Sequence, residues 1–180
     1  MDKQHCFNLK KIDHNTILEI ASETSKPLFL IGFMGCGKST SGALISQKTG
    51  KEFIDLDIYI TQKHNKSIPE IFENEGEQAF RLIEHSALKE IINIKNIIVA
   101  TGGGTPCFFD NMELMSQNGI TVYLKSSTKK LFERLISLKN TRPLLSGLSD
   151  EELEEYIKKE LEEREKYYLM SSYEINSIAF

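Results

Sequence analysis

Leu28-Phe29-Leu30-Ile31-Gly32-Phe33-Met34-Gly35-Cys36-Gly37-Lys38-Ser39-Thr40-Ser41-Gly42-Ala43-Leu44-Ile45 is the stretch from which the rest of the chain can be read. Its first four residues are a short apolar run with the character of a buried strand. Gly32 to Ser39 fit the phosphate-loop pattern G-x-x-x-x-G-K-[ST], and Thr40 onward reads as the start of a helix. That strand–loop–helix context gives the pattern its meaning. Glycines let backbone N–H groups converge on a polyphosphate, and a helix N-terminus adds positive potential. Lys38 would add a point charge near the β- and γ-phosphates, and Ser39 a hydroxyl toward Mg²⁺. Cys36 reads as a small side chain pointing away from the phosphates, since such a loop binds through its backbone.

Outward from this loop, apolar runs alternate with helix-like spacing. Phe53–Leu56, Ile97–Ala100, Ile120–Leu124 and, more weakly, Tyr173–Ala179 read as further strands. Ser39–Thr49, Gly76–Ile94, Asp110–Asn118, Thr128–Leu138 and Ser149–Met170 read as helices. Alternation of this kind predicts an α/β fold with a parallel sheet covered on both faces. Ligands of such sheets sit beyond the carboxyl ends of the strands, where the chemically interesting residues also fall. Residues 1–26 precede this core; Thr16 to Ser22 predict a short helix capped by Asn15, with no function assigned.

Composition narrows the function. A chain of 180 residues with formal net charge −4 suggests one domain and makes neither nucleic acid nor an anionic membrane the default partner. Cys6, Cys36 and Cys107 are far apart, which argues for a reducing compartment and against a disulfide framework or zinc site. No apolar run approaches bilayer length, and the N-terminal residues carry no secretory h-region, so a cytoplasmic location is expected. The four histidines show no ligand spacing, and no Ser/His/Asp set is suggested.

Several residues are candidates for chemistry. Asp55 and Asp57 form a D-x-D pair near the second strand's end; if the strand runs through both, they share a face. One can hold the Mg²⁺ shell while the other accepts a proton from a substrate hydroxyl, and a turn or helix cap is the competing reading. Arg81 and Glu84 are spaced to pair on a helix whose buried stripe is Phe80, Ile83, Ala87 and Ile91. Arg81 either snorkels at the core edge or grips a carboxylate with its fork. Gly102-Gly103-Gly104 removes side chains where the backbone must approach something closely, unless it is a plain loop. Asn140 to Gly147 has the composition of a mobile lid, and Arg142 within it can cover a transferring phosphoryl group or lie in solvent. Arg164 falls on the inward side of a charge-rich helix, where an anionic substrate would serve as its partner.

Taken together, these segments resemble the shikimate kinase family. G-F-M-G-C-G-K-S-T, F-I-D-L-D, S-I-P-E-I-F-E-N-E-G-E-Q-A-F-R-L-I-E, V-A-T-G-G-G, R-P-L-L and R-E-K-Y-Y occur in that family's order over about residues 27–178. The resemblance implies a three-layer P-loop kinase fold of the nucleoside-monophosphate-kinase type. Its five-stranded parallel sheet, in order 2-3-1-4-5, would be flanked by helices, with a lid at about 139–149 and residues 1–26 outside the domain spanning 27–180. It implies ATP- and Mg²⁺-dependent phosphorylation of the shikimate 3-hydroxyl, a step toward chorismate and the aromatic amino acids. ATP would be bound by Gly35, Cys36, Gly37, Lys38, Ser39, Thr40, Arg134 and Arg142, with Arg134 stacking on adenine. Ser39 and Asp55 would serve Mg²⁺. Shikimate would meet Asp57, Arg81, Gly102, Gly103, Gly104 and Arg164, with Glu84 orienting Arg81 and Phe72 and Phe80 on the apolar side. Asp57, Lys38 and Arg142 are the expected catalytic groups. A monomer is expected, acting on ATP and shikimate and on no nucleic acid or membrane. The family usually continues past the position of Phe180 with an adenine-contacting loop and a final helix, which bears on adenine affinity and stability. A gluconate or nucleoside-monophosphate kinase and a non-catalytic nucleotide-binding module are the rival readings.

Overall fold

A computed structural model describes residues 9–141, 145 and 147–176. Its strands are β1 (Lys10–Lys11), β2 (Leu28–Ile31), β3 (Glu52–Asp55), β4 (Ile97–Ala100), β5 (Ile120–Lys125) and β6 (Tyr173–Asn176). Its α-helices are α1 (His14–Glu23), α2 (Lys38–Thr49), α3 (Leu56–His64), α4 (Ile68–Ile91), α5 (Asn111–Asn118), α6 (Thr128–Leu135) and α7 (Asp150–Tyr168).

All strand pairs are parallel, in the order β1-β6-β5-β2-β4-β3. β2 and β4 are buried at every residue, as expected of central parallel strands covered on both faces. The sheet therefore has six strands, correcting the expected five-stranded sheet in order 2-3-1-4-5. The additional strand is β1, at the edge beside β6; the strands from Leu28 onward run β3-β4-β2-β5-β6. β1 consists of two lysines and carries no apolar pattern. It is held by register, with Lys10 N–H donating to the Ser172 carbonyl at 3.2 Å and Ile12 N–H to that of Glu174 at 2.9 Å. The helix after it starts at His14 and is capped by Asp13, whose carboxylate accepts from Thr16 N–H, not by Asn15. Ile17 and Ala21 on α1 are buried in the core, so residues before Leu28 contribute to both sheet and core.

Two other elements differ from expectation in ways that shape the site. β3 stops at Asp55, which caps α3, so Asp55 and Asp57 do not share one strand face. α4 begins at Ile68, not Gly76, because Ser67 and Glu70 form a reciprocal capping box with Pro69 in the first turn. Gly76 is a kink inside it, at φ 82° and ψ 169°, a backbone region that glycine reaches at little cost.

Candidate functional site

The carboxyl ends of β2, β3 and β4 open onto one side of the sheet, and the loops that leave them build the site. Leaving β2, the chain turns at Gly37 (φ 97°) and enters α2 at Lys38. The Lys38 ammonium donates to the Gly32 and Phe33 carbonyls at 2.7 and 2.9 Å. At the end of β3, Asp55 divides its carboxylate between two tasks. Oδ1 accepts from the N–H groups of Asp57 and Ile58, at 3.1 and 3.3 Å, while Oδ2 accepts from the Ser39 hydroxyl at 2.6 Å. The D-x-D pair is thus both a helix cap and a link to the phosphate loop. Asp57 stands in the first turn of α3.

Beyond β4 lies the glycine triplet, and the reason for each glycine is visible. A Cβ on Gly102 would lie 2.6 Å from Glu84 Oε1, and one on Gly103 would lie 3.0 Å from the Met34 amide nitrogen. One on Gly104 would lie 2.8 Å from both terminal nitrogens of Arg81. The strand end is pressed against the phosphate loop on one side and a buried ion pair on the other.

That ion pair is carried by α4. Arg81 donates to Glu84 Oε2 at 3.0 Å and to Glu77 Oε1 at 3.0 Å, and its guanidinium lies 4.2 Å from the centre of the Phe108 ring. Arg81 is thus not snorkelling toward solvent but buried. Glu84 is fully buried and also accepts from the Thr105 hydroxyl at 2.6 Å. Burial pushes the Glu84 carboxyl up, while Arg81 and Thr105 pull it down. Desolvating two charges is tolerable here because the remaining oxygen of Glu84 is satisfied.

Two cavities result. One, of about 420 Å³, is lined by Asp57, Phe72, Phe80, Arg81, Glu84, Gly102, Gly103, Gly104 and Arg164. Phe72 and Phe80 pack at 4.8 Å between ring centres and give it an apolar side. The other, of about 660 Å³, is lined by Gly35, Gly37, Lys38, Ser39, Thr40, Asp55 and Arg134, among others. Asp57, Met34, Gly102, Gly103 and Leu138 line both, so the cavities are neighbours with a common wall. Arg134 donates to the Gly35 carbonyl at 3.1 Å. Cys36 lines neither cavity; its side chain is buried, with Sγ 3.8 Å from the Lys38 ammonium. Arg142 lies outside the described residues, as do its neighbours Pro143 and Leu144.

Three contributors were not anticipated. Tyr168 donates to the Gly103 carbonyl at 2.6 Å and ties α7 to the glycine loop. Phe108 supplies the face on which Arg81 rests, and Thr105 completes Glu84. Tyr168 lies in the quoted R-E-K-Y-Y segment, but neither Phe108 nor Thr105 falls at a spacing that would have marked it. The oxygen pair of Ser39 and Asp55 suits a hard cation that keeps most of its shell for water and phosphate. No cluster of three or more His, Cys, Asp or Glu able to hold a metal exists among the described residues. No helix among them is long and apolar enough to cross a membrane.

A family model described as shikimate kinase matches residues 34–177. The chain belongs to the shikimate kinase family. A shikimate kinase from Parabacteroides distasonis is 47% identical over 147 residues, covering 82% of this chain and 85% of the relative. One from Azobacteroides pseudotrichonymphae is 48% identical over 146 residues, covering 81% and 86%. Among solved structures, a shikimate kinase from Acinetobacter baumannii in complex with shikimate superposes with a TM-score of 0.81. It is 34% identical, with 91% of this chain and 89% of that one covered. Family membership extends over both cavities, from the phosphate loop to Arg164 on α7.

Proposed function

We propose that this protein transfers the γ-phosphoryl group of ATP to the 3-hydroxyl of shikimate, a step toward chorismate and the aromatic amino acids. The observation that carries the reading is the common wall: a phosphate-loop cavity and a two-arginine cavity meet at Asp57. A triphosphate fits the first, because the α2 N-terminus, Lys38 and the loop backbone face it. A compact carboxylated ring fits the second, with Arg81 and Arg164 for the carboxylate and the Phe72–Phe80 side for the ring face.

Shikimate is held by its carboxylate so that one hydroxyl points at the γ-phosphorus in line with the departing ADP oxygen. Asp57 accepts the hydroxyl proton as the new O–P bond forms and the bond to ADP breaks. Lys38 offsets charge on the phosphoryl oxygens. Ser39 and Asp55 would hold Mg²⁺, which when bound neutralises phosphate charge. Gly35 to Thr40 cradle the phosphates, and Arg134, at the loop's edge, is assigned to the adenine. We assign residues 139–149 as a lid bringing Arg142 over the phosphoryl group, on sequence alone. Both cavities are built by one chain, so a monomer suffices, and a cytoplasmic setting suits a free small-molecule acid and ATP.

The test is ADP release from ATP and Mg²⁺ by the purified protein, with and without shikimate. Release that depends on shikimate, and that gluconate or a nucleoside monophosphate does not elicit, supports the reading. Turnover on one of those acceptors instead would refute it.

A further inference from the structure

Both arginines of the acid cavity carry a glutamate one helical turn before them. Glu77 pairs with Arg81 on α4, and Glu160 pairs with Arg164 on α7. The i, i+4 spacing puts each pair on one helix face. The two are not equivalent. Arg81 is already fixed by the buried Glu84 and by the Phe108 ring, and Glu77 is half-exposed. Arg164 lies 5.6 Å from the centre of the Phe33 ring and beside the Tyr156 and Tyr168 hydroxyls, and among the described residues Glu160 is the one carboxylate in an ion pair with it. Side-chain exposures of 13% for Arg164 and 21% for Glu160 leave this pair poorly screened by solvent.

The placement of the two partners gives Glu160 a direction. Arg164 lines the acid cavity and also an outer groove of about 490 Å³. Glu160 lines the groove and not the acid cavity. The carboxylate thus stands behind the guanidinium, on the side away from the substrate. A guanidinium has donors along more than one edge, so one edge can be tethered while another meets a ligand carboxylate. Without its one charged partner, a long arginine side chain is held less firmly and loses more rotamer freedom each time substrate binds.

We propose that Glu160 is a positioning residue for the acid substrate, holding Arg164 from the groove side so that its free edge faces the substrate carboxylate. The assignment rests on the proposed function, because it presumes that Arg164 grips that carboxylate. Glu160 touches neither ATP nor the transferring group, so its effect belongs in KM for the acid.

The experiment compares steady-state kinetics of the unaltered protein with Glu160→Ala, Glu160→Gln and Arg164→Ala, with thermal melting confirming that each is folded. Glu160→Ala raises KM for shikimate about tenfold, roughly the worth of one partly exposed charge-assisted hydrogen bond, with kcat and KM for ATP within about twofold. Glu160→Gln retains an acceptor oxygen for Arg164 and stays within about threefold of the unaltered KM. An unchanged KM in Glu160→Ala overturns the proposal. So does a lowered KM, which would make the carboxylate a competitor of the substrate, and so does a glutamine variant as impaired as the alanine one. If the unaltered protein does not turn over shikimate, the proposed function itself falls. If Arg164→Ala raises KM and Glu160→Ala does not, only the role of Glu160 is lost.

Discussion

Gly104 shows how a residue with no side chain can fix the position of a neighbouring arginine. Its backbone is in an ordinary region, at φ −90°, so alanine there is not strained. The obstacle is Arg81, whose terminal nitrogens would lie 2.8 Å from the added methyl. The guanidinium cannot move aside freely, because Glu84 and Glu77 hold it and Phe108 lies against it. Gly104→Ala should therefore raise KM for shikimate about 10- to 100-fold, the worth of a lost charged hydrogen bond, and leave KM for ATP within about twofold. Equal rises for both substrates would contradict this. Cys107, three residues on, is half-buried and lines the outer groove behind Arg164. Burial pushes its thiol up to about 11 from 9.0, with Arg164 and Arg81 pulling the other way. The folded value lies above the unfolded one. Its contribution to stability is therefore complete below about pH 9 and is lost as pH rises through about 11. At pH 8 it should hold about 100-fold less thiolate than an unperturbed thiol and alkylate correspondingly slowly, as peptide mapping after iodoacetamide will show. Rapid labelling of Cys107 would show that its partial burial does not hold the thiol up.

Some elements were readable before the structure and others were not, for physical reasons. β2, β4 and β5 announce themselves as apolar runs because both faces of a central parallel strand are covered. The start of α4 was missed because Gly76 looks like a boundary and proves to be a kink. The start was nevertheless written in the sequence, as Ser67, Pro69 and Glu70. The D-x-D pair was open to two readings in the sequence, a shared strand face and a helix cap, and the structure decides for the cap: Asp55 ends the strand and caps α3. β1 could not be read at all: a two-residue lysine strand exists only because β6 offers an edge to it. α1, which follows it, was assigned no function, yet Ile17 is 3% exposed and belongs to the core. Ile17→Ala should lower unfolding free energy by about 2–4 kcal/mol, as large-to-small core changes do, while both KM values stay unchanged. Denaturant unfolding checks the first part. A loss within error of zero would show that α1 is not integral to the fold.

At the scale of the whole molecule, the sheet does one thing for function: it delivers three loops to one rim. The phosphate loop leaves β2, Asp55 and Asp57 follow β3, and the glycine triplet follows β4. Ligands at the carboxyl ends of parallel strands are the general rule for open α/β sheets, so the location of the site was legible from the alternation of strands and helices. What was not legible is how closely the loops press together. The contacts of Gly102 with Glu84, Gly103 with Met34 and Tyr168 with Gly103 are all long-range and leave no periodic trace in the chain. That closeness makes two cavities share a wall instead of standing apart, and it places Asp57 where both ligands would meet. The most direct test is calorimetric binding to Asp57→Asn, run with shikimate and a non-hydrolysable ATP analogue, each alone and then together. The account predicts that both bind at once, one of each per chain, while turnover with ATP falls by about 10²–10⁴-fold, the range for a lost positioned base. Mutually exclusive binding, or near-normal turnover in this variant, would contradict it.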